Sequence, residues 1–315
     1  VTSSDRESLD RNGAPGREHG GTKFSHVPVL LQPAIEFLAV RRGRIYIDAT
    51  LGLGGHSFEI AKRLGPQGRL IAFDKDPAAL QRARERLHPT TSEWPQIELV
   101  HASFADVAEH VKSASADGLL ADVGVSSMQF EDAARGFSFQ AEGPLDMRMN
   151  PQSGLTAEQV VNRFDERELA DAIYEFGEER RSRRIARAIV RARPIHTTAQ
   201  LAAVISAAAR PMNQAERRIH PATKTFQALR ILVNRELDDL RALLGSAPAV
   251  LKPGGRLVVI SFHSLEDRIV KDALRDGARD GLYRVLTKKP VVAGDEEIEL
   301  NPRSRSAKLR AAERL

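Results

Sequence analysis

Four short apolar runs at similar intervals constrain this chain more than any other feature. They are Ile45-Tyr46-Ile47-Asp48, Leu70-Ile71-Ala72-Phe73-Asp74, Ile97-Glu98-Leu99-Val100 and Leu119-Leu120-Ala121-Asp122. Runs of this length, closing near a polar residue, are what strands buried on both faces look like. Ser57 to Leu64 and Pro77 to Leu87 carry helical spacing between the first three of them. The βαβαβ series predicts a parallel sheet with right-handed crossovers.

The rhythm then stops. The next convincing strand is Arg256 to Phe262, so 133 residues, 123 to 255, stand where a crossover needs a few tens. The stretch from Val123 to Gly154 reads as loop. Thr156 to Phe164, Glu166 to Phe176, Glu178 to Arg193 and Thr198 to Ala209 have helical spacing, which predicts a helical domain inserted over 127–218. A helix from Lys224 to Leu244 and the turn Lys252-Pro253-Gly254-Gly255 lead back to the sheet, with weaker strands at Leu282 to Thr287 and Ala307 to Ala312. The sheet domain is then discontinuous, 23–126 and 219–315. Residues 1–22 hold four acidic residues, three basic ones and four glycines with almost nothing to bury, and are expected to be a disordered leader.

The loop Asp48-Ala49-Thr50-Leu51-Gly52-Leu53-Gly54-Gly55-His56 lies between the first strand and a helix. Glycines there let backbone N–H groups approach a ligand, and the helix N-terminus favours negative charge. Asp74 closes the second strand, where a carboxylate can accept both hydroxyls of an adenosine ribose. Two cofactors fit. A dinucleotide wants G-x-G-x-x-G, and the third glycine position here is Ser57. S-adenosylmethionine has no pyrophosphate to hold, and Asp48 suits its cationic amino acid end. A structural glycine turn is the bland alternative.

Longer blocks carry a resemblance. His26-Val27-Pro28-Val29-Leu30-Leu31, Gly54-Gly55-His56-Ser57, Asp122-Val123-Gly124-Val125-Ser126-Ser127, Arg135-Gly136-Phe137-Ser138-Phe139 and Gly143-Pro144-Leu145-Asp146-Met147-Arg148-Met149 are the first. Gly177-Glu178-Glu179-Arg180, His220-Pro221-Ala222-Thr223, Thr225-Phe226-Gln227-Ala228-Leu229-Arg230 and Ser261-Phe262-His263-Ser264-Leu265-Glu266-Asp267-Arg268 complete the set. From about His26 to Arg314 the chain resembles the ribosomal RNA small subunit methyltransferase H family. Met128 stands where many relatives carry proline and Val123 where leucine is usual.

The resemblance implies methyl transfer from S-adenosyl-L-methionine to the exocyclic N4 of a cytidine in 16S ribosomal RNA at the decoding centre. It implies an α/β fold, a class I (Rossmann-like) methyltransferase sheet with an inserted helical domain. Its cofactor positions here are Gly54, Gly55, His56, Asp74, Phe104, Asp122 and Gln129. The implied partner is small-subunit ribosomal RNA within the 30S subunit; homo-oligomerisation stays open.

An exocyclic amine of cytosine is a poor nucleophile, so the site must align it and accept a hydrogen bond from it. Many amino-methyltransferases place Asp/Asn-Pro-Pro-aromatic after the fourth strand, and this chain lacks that aromatic. Asp122, Ser126 and Ser127 are therefore the expected amine-site residues, with Phe137 or Phe139 of the insert as the stacking ring; loop capping is the alternative for the serines. His263, His26 and His220 are ambiguous between proton transfer and structural hydrogen bonding.

The chain has no cysteine, which excludes disulfide frameworks, thiolate metal sites and the cysteine adduct of cytosine C5 methylation. Direct transfer to nitrogen needs no thiol. No H-E-x-x-H or repeated histidine spacing is present, so no metal is expected. A stretch of about 20 apolar residues is also lacking, so a soluble, cytoplasmic protein without membrane contact is the default.

Net charge is only +5, yet seven arginines fall within Glu178 to Arg193. On one helix Arg180, Arg183, Arg184, Arg187 and Arg191 would share a face suited to a phosphate backbone. A solvated face with local salt bridges is the alternative. Arg303, Arg305, Lys308, Arg310 and Arg314 form a second basic group. Two rivals remain, an NAD-dependent oxidoreductase on the same sheet and a non-catalytic RNA-binding assembly factor.

Overall fold

The computed structural model describes residues 28–89, 91–152, 154–209 and 220–315. The expected leader, His26 and the end of the expected insert, 210–218, lie outside the described residues.

All the anticipated strands form. β1 (Ile45–Asp48), β2 (Arg69–Asp74), β3 (Gln96–His101), β4 (Ala116–Asp122), β5 (Leu251–Ser261), β6 (Tyr283–Val285) and β7 (Lys308–Arg314) make one seven-stranded sheet in the order β3-β2-β1-β4-β5-β7-β6. β1 to β5 are parallel, and β7 runs antiparallel to both β5 and β6. This is the class I Rossmann-like methyltransferase sheet. The chain first works outward from β1 to β3, then returns to β1's other side with β4. Ligands of such sheets gather where the order reverses, at the carboxyl ends of β1 and β4.

Alternation along the strands explains the layers, because successive side chains point to opposite faces. Ile47, Leu119, Leu257 and Val259 enter a core with Leu240, Leu243, Val270 and Leu274. Tyr46, Leu120, Val258 and Ile260 enter the opposite core with Leu38, Ile60 and Leu64. The first face is covered by α4 (Val107–His110), α11 (Glu236–Val250) and α12 (Ser264–Arg279). Facing the second are α1 (Leu31–Leu38), α2 (Gly55–Leu64) and, further along, α3 (Pro77–Arg86) and α13 (Asp295–Leu300).

Between β4 and β5 come α5 (Ser127–Glu131), α6 (Ala157–Arg163), α7 (Glu166–Gly177), α8 (Ser182–Ala192), α9 (Thr198–Ala208) and α10 (Thr223–Asn234). Val160, Leu169, Ile173, Ile185, Ile189, Leu201 and Ile205 share a core of their own, and Phe226 and Leu229 of α10 pack into it.

Several boundaries differ from the sequence reading, each for a local reason. The helix expected over 178–193 begins only at Ser182, because Glu178 turns left-handed at φ 48° and the Glu179 carboxylate accepts from the Arg181 N–H at 2.9 Å. The helix expected over 224–244 is two helices, broken at Arg235 with φ 53°. Asn234 fixes that break by bonding outward, Nδ2 to the Met147 carbonyl and Oδ1 from the Met149 N–H, both at 2.7 Å. Residues 252–255 are a bulge within β5, since Leu251 pairs with Ala116 and Arg256 with Gly118. Helices α1, α4, α5, α12 and α13 stand where no helix was read.

Candidate active site

The loop after β1 is laced into its neighbours. The Ala49 N–H donates to the Leu120 carbonyl and the Leu51 N–H to the Phe73 carbonyl, both at 2.8 Å, and Thr50 Oγ1 accepts from the Asp122 N–H at 2.6 Å. Gly52 and Gly54 sit at φ 50° and 72°, a region costly for residues with a Cβ. A Cβ on Gly55 would stand 2.4 Å from Pro28 Cγ, so the N-terminal segment can seal the loop only against glycine.

These loops frame a cavity of about 380 Å³ at the carboxyl edge of the sheet. Asp74 and Asp122 both line it, with Gly55, His56, Phe104, Ser126, Ser127 and Gln129. Of the expected cofactor residues, Asp48 and Gly54 do not. Asp48 is buried behind the loop, accepting from Ser57 Oγ at 2.7 Å and the Thr50 N–H at 3.1 Å. The space over Gly54 faces Ala83 and Leu87 of the α3 segment, so its contribution is backbone conformation.

Asp74 accepts from the N–H groups of Gly52 and Asp76, each at 2.8 Å, which aims the carboxylate at the cavity. Burial, with the Asp76 and Asp48 carboxylates nearby, pushes it up to about 6 despite those two bonds. Asp122 is displaced further: burial, then Asp48 and Glu266, hold its carboxyl well above the usual carboxylate range. Its Oδ1 is buried and has no hydrogen-bond partner among the described residues. Its Oδ2 lies 3.7 Å from His56 Nδ1. His56 Nε2 is 3.1 Å from the Val29 carbonyl, a contact that turns the Nδ1 edge of the ring toward Asp122.

Ser126 caps α5: its hydroxyl accepts from the Gln129 N–H at 3.3 Å, while Gln129 Oε1 accepts from the Ser126 N–H at 3.0 Å. The capping alternative for this serine is therefore realised. The stacking ring expected from the insert is a correction, because Phe137 and Phe139 pack in the helical core, Phe139 against His220 and Phe226. The rings that reach the cavity besides Phe104 are Phe130 and Phe262. Neither was read from the sequence; the five-residue α5 that carries Phe130 is too short to leave a periodic signal.

His263 is structural. Its Nδ1 accepts from the Glu266 N–H at 3.4 Å as the N-cap of α12, and Nε2 lies 3.0 Å from Glu266 Oε1. Arg230 also lines the cavity, held bidentate by Glu236 at 2.8 and 2.9 Å.

The arginine face is partly rearranged. Arg183, Arg184, Arg187 and Arg191 are exposed along α8 above the buried Ile185 and Ile189, but Arg180 lies in the turn before the helix. Arg187 pairs with Glu166 at 3.2 Å. The second basic group disperses: Arg310 and Lys308 are taken by Asp267 at 2.7 and 3.3 Å, Arg314 donates to the Leu251 carbonyl at 3.0 Å, and Arg303 turns into the cavity.

Residues 23–315 match the model of the MraW methylase family. The chain belongs to that family. This methylase is 73% identical over 307 residues to the ribosomal RNA small subunit methyltransferase H of Koribacter versatilis, covering 96% of the chain and 98% of the relative. The protein of the same name from Acidobacterium capsulatum is 66% identical over 293 residues, 92% and 98% of the two chains. That of Sorangium cellulosum is 50% identical over 296 residues, 92% and 91%. Among the described residues of this methylase, no helix is long and apolar enough to cross a membrane.

Proposed function

We propose that this methylase transfers a methyl group from S-adenosyl-L-methionine to the exocyclic N4 of a cytidine in 16S ribosomal RNA, at the decoding centre of the 30S subunit. The observation that carries the reading is the pairing of Asp74 and Asp122 in one cavity, the first already oriented by two backbone donors and the second with a bare buried oxygen. The names of the relatives support ribosomal RNA as substrate.

The residues fit that cofactor. Asp74 would accept the ribose hydroxyls, Phe104 would cover the adenine, and the loop from Gly52 to His56 would receive the methionine portion. A dinucleotide fits poorly, because the Asp48 carboxylate buried beneath the loop repels a pyrophosphate at the start of α2.

When bound, the cofactor would supply an electrophilic methyl carbon with a neutral thioether as its leaving group. Asp122 accepts a hydrogen bond from the N4 amine, aligns its lone pair, and takes the proton that the methylated nitrogen must shed. A cationic methyl donor in the same cavity would favour the ionised Asp122 carboxylate that this role needs. Ser126 and Ser127 line the same wall, Gln129 shapes it, and His56 stands beside Asp122.

The helical unit, 127–218 with α10 packed into it, would recognise RNA through Arg183, Arg184, Arg187 and Arg191, with Arg180 beside them. The sheet unit, 23–126 and 219–315, would carry the chemistry.

The test is digestion and mass analysis of 16S RNA from cells with and without the protein. N4-methylcytidine should vanish without it and return with the wild-type chain. Calorimetric titration should show binding of S-adenosylmethionine and none of NAD; the reverse would defeat the reading.

A further inference from the structure

The cavity has a second wall that the cofactor reading leaves unused. Phe130 reaches it from α5, and Arg303 from the 3-10 turn Pro302–Ser306 just before β7, with Ser306 beside it. The Arg303 guanidinium lies over the Phe130 ring at 5.0 Å from its centroid. Two segments about 170 residues apart in sequence thus meet at one point of the cavity that holds Asp122.

Of the other cations at this cavity, Arg230 is neutralised by Glu236 and Lys75 by Asp239, while Arg86 lies over the Phe58 ring and donates to the Leu53 carbonyl. Arg303 is half-buried and makes no ion pair among the described residues, Glu131 acting on it only at longer range. A partly desolvated guanidinium without a carboxylate, stacked on an aromatic ring, is suited to a planar π face and a phosphate together.

We propose that Phe130 and Arg303 form the seat of the target nucleotide, Phe130 taking the face of the extruded base and Arg303 its phosphate. The proposal rests on the methyl-transfer reading above. Such a seat supplies what direct attack requires, since an extruded base gains its orientation from stacking and its depth from the phosphate anchor. It also supplies, eight residues past Asp122 on α5, the aromatic that the turn directly after β4 lacks.

The test uses the full chain and small-subunit particles from cells lacking the methylase. For Arg303→Gln we expect cofactor affinity by calorimetry within twofold of wild type. The KM for particles should rise about tenfold, and the salt dependence of particle binding should fall by about one ion. Arg303→Lys should restore the salt dependence, because it keeps the charge. Phe130→Leu should raise KM with the salt dependence unchanged.

Unaltered KM and salt dependence in Arg303→Gln, with normal melting, would overturn the proposal. So would a tenfold loss of cofactor affinity without particles, which would assign Arg303 to the cofactor's carboxylate instead. If Arg303→Gln melts early, Arg303→Lys and Phe130→Leu decide by the same two readouts. A wild-type chain that neither binds S-adenosylmethionine nor methylates particles would defeat the underlying reading, whereas an active wild type with indifferent variants defeats only the seat.

Discussion

Gln129 Nε2 donates at 2.8 Å to Oδ2 of Asp76, a carboxylate with no solvent exposure. Arg135 Nη1 donates to the same oxygen at 2.8 Å, and Oδ1 accepts from the Ala78 N–H at 3.0 Å as the cap of α3. Arg135 also donates to the carbonyls of Arg148 and Met149, each at 2.9 Å. One buried carboxylate thus ties the turn after β2 to the loop after β4 and to the entry of the insert. Its neighbour Asp74 is the expected ribose contact, so the cofactor side of the cavity and the insert share a joint.

Asp76→Ala should therefore be destabilising well beyond a lost cap, because it strands Arg135 with little access to water. We expect about 3–5 kcal/mol, as for a buried pair broken on one side, seen as a lower urea midpoint with little change in slope. Gln129→Ala breaks the reciprocal cap with Ser126 and removes one donor from Asp76 but leaves Arg135 on that carboxylate, so it should cost about 2 kcal/mol, less than losing the carboxylate itself. If the two variants unfold at the same urea concentration, Asp76 is not the joint described.

The pH dependence of cofactor binding follows from Asp74, whose carboxyl stands at about 6. Ribose hydroxyls donate to the ionised form, so affinity should rise with pH through about 6 and level off above it, approaching tenfold per pH unit well below. The stability effect has the opposite sign. A carboxyl raised above its unfolded value binds more protons when folded, so its contribution is present below about 4 and is lost as pH rises through about 6. Calorimetric titrations from pH 5 to 8 check the first statement, and Asp74→Asn should flatten the profile.

The sheet was legible because β1, β2 and β4 are continuous apolar runs, and so was the insert, since a crossover 133 residues long cannot be plain. Asp74 and Asp122 could be placed at the cavity because each closes a parallel strand at the carboxyl edge of the sheet, where the cavity lies. What periodicity could not supply were left-handed residues such as Glu178, held by Ser264 and Arg268, and Arg235, next to which Asn234 bonds across to Met147 and Met149. Asp48 shows the same limit: its position after β1 suggested a ligand contact, but Ser57, nine residues on, turns its carboxylate inward. Phe130 and Arg303 were invisible because only tertiary structure brings them together.

On α8, the arginines at 183, 184 and 191 are exposed and should act as a phosphate-facing set. Changing all three to glutamine should reduce the salt slope of particle binding by about two to three and lower affinity at low salt. Cofactor affinity should stay the same, since none of the three lines the cavity. Melting should also be nearly unchanged, because the helix is held by Ile185, Ala186 and Ile189. An unaltered salt slope in the triple variant would remove α8 from the RNA surface.

Asp122→Asn separates chemistry from folding. The wild-type carboxylate is desolvated, crowded by Asp48 and Glu266, and has one oxygen with no partner, so its ionised form is costly in the folded protein. Asparagine has the same shape and no charge to bury, so the variant should melt at the same temperature as wild type or a higher one. Its amide oxygen can still accept from the N4 amine, but it cannot take the proton. Single-turnover methylation at saturating cofactor should then fall about 100-fold or more, in the range expected when a positioned base is lost. Asp122→Ala removes the acceptor as well and should be slower still. A full single-turnover rate in Asp122→Ala would exclude Asp122 from the amine site, whatever its effect on melting.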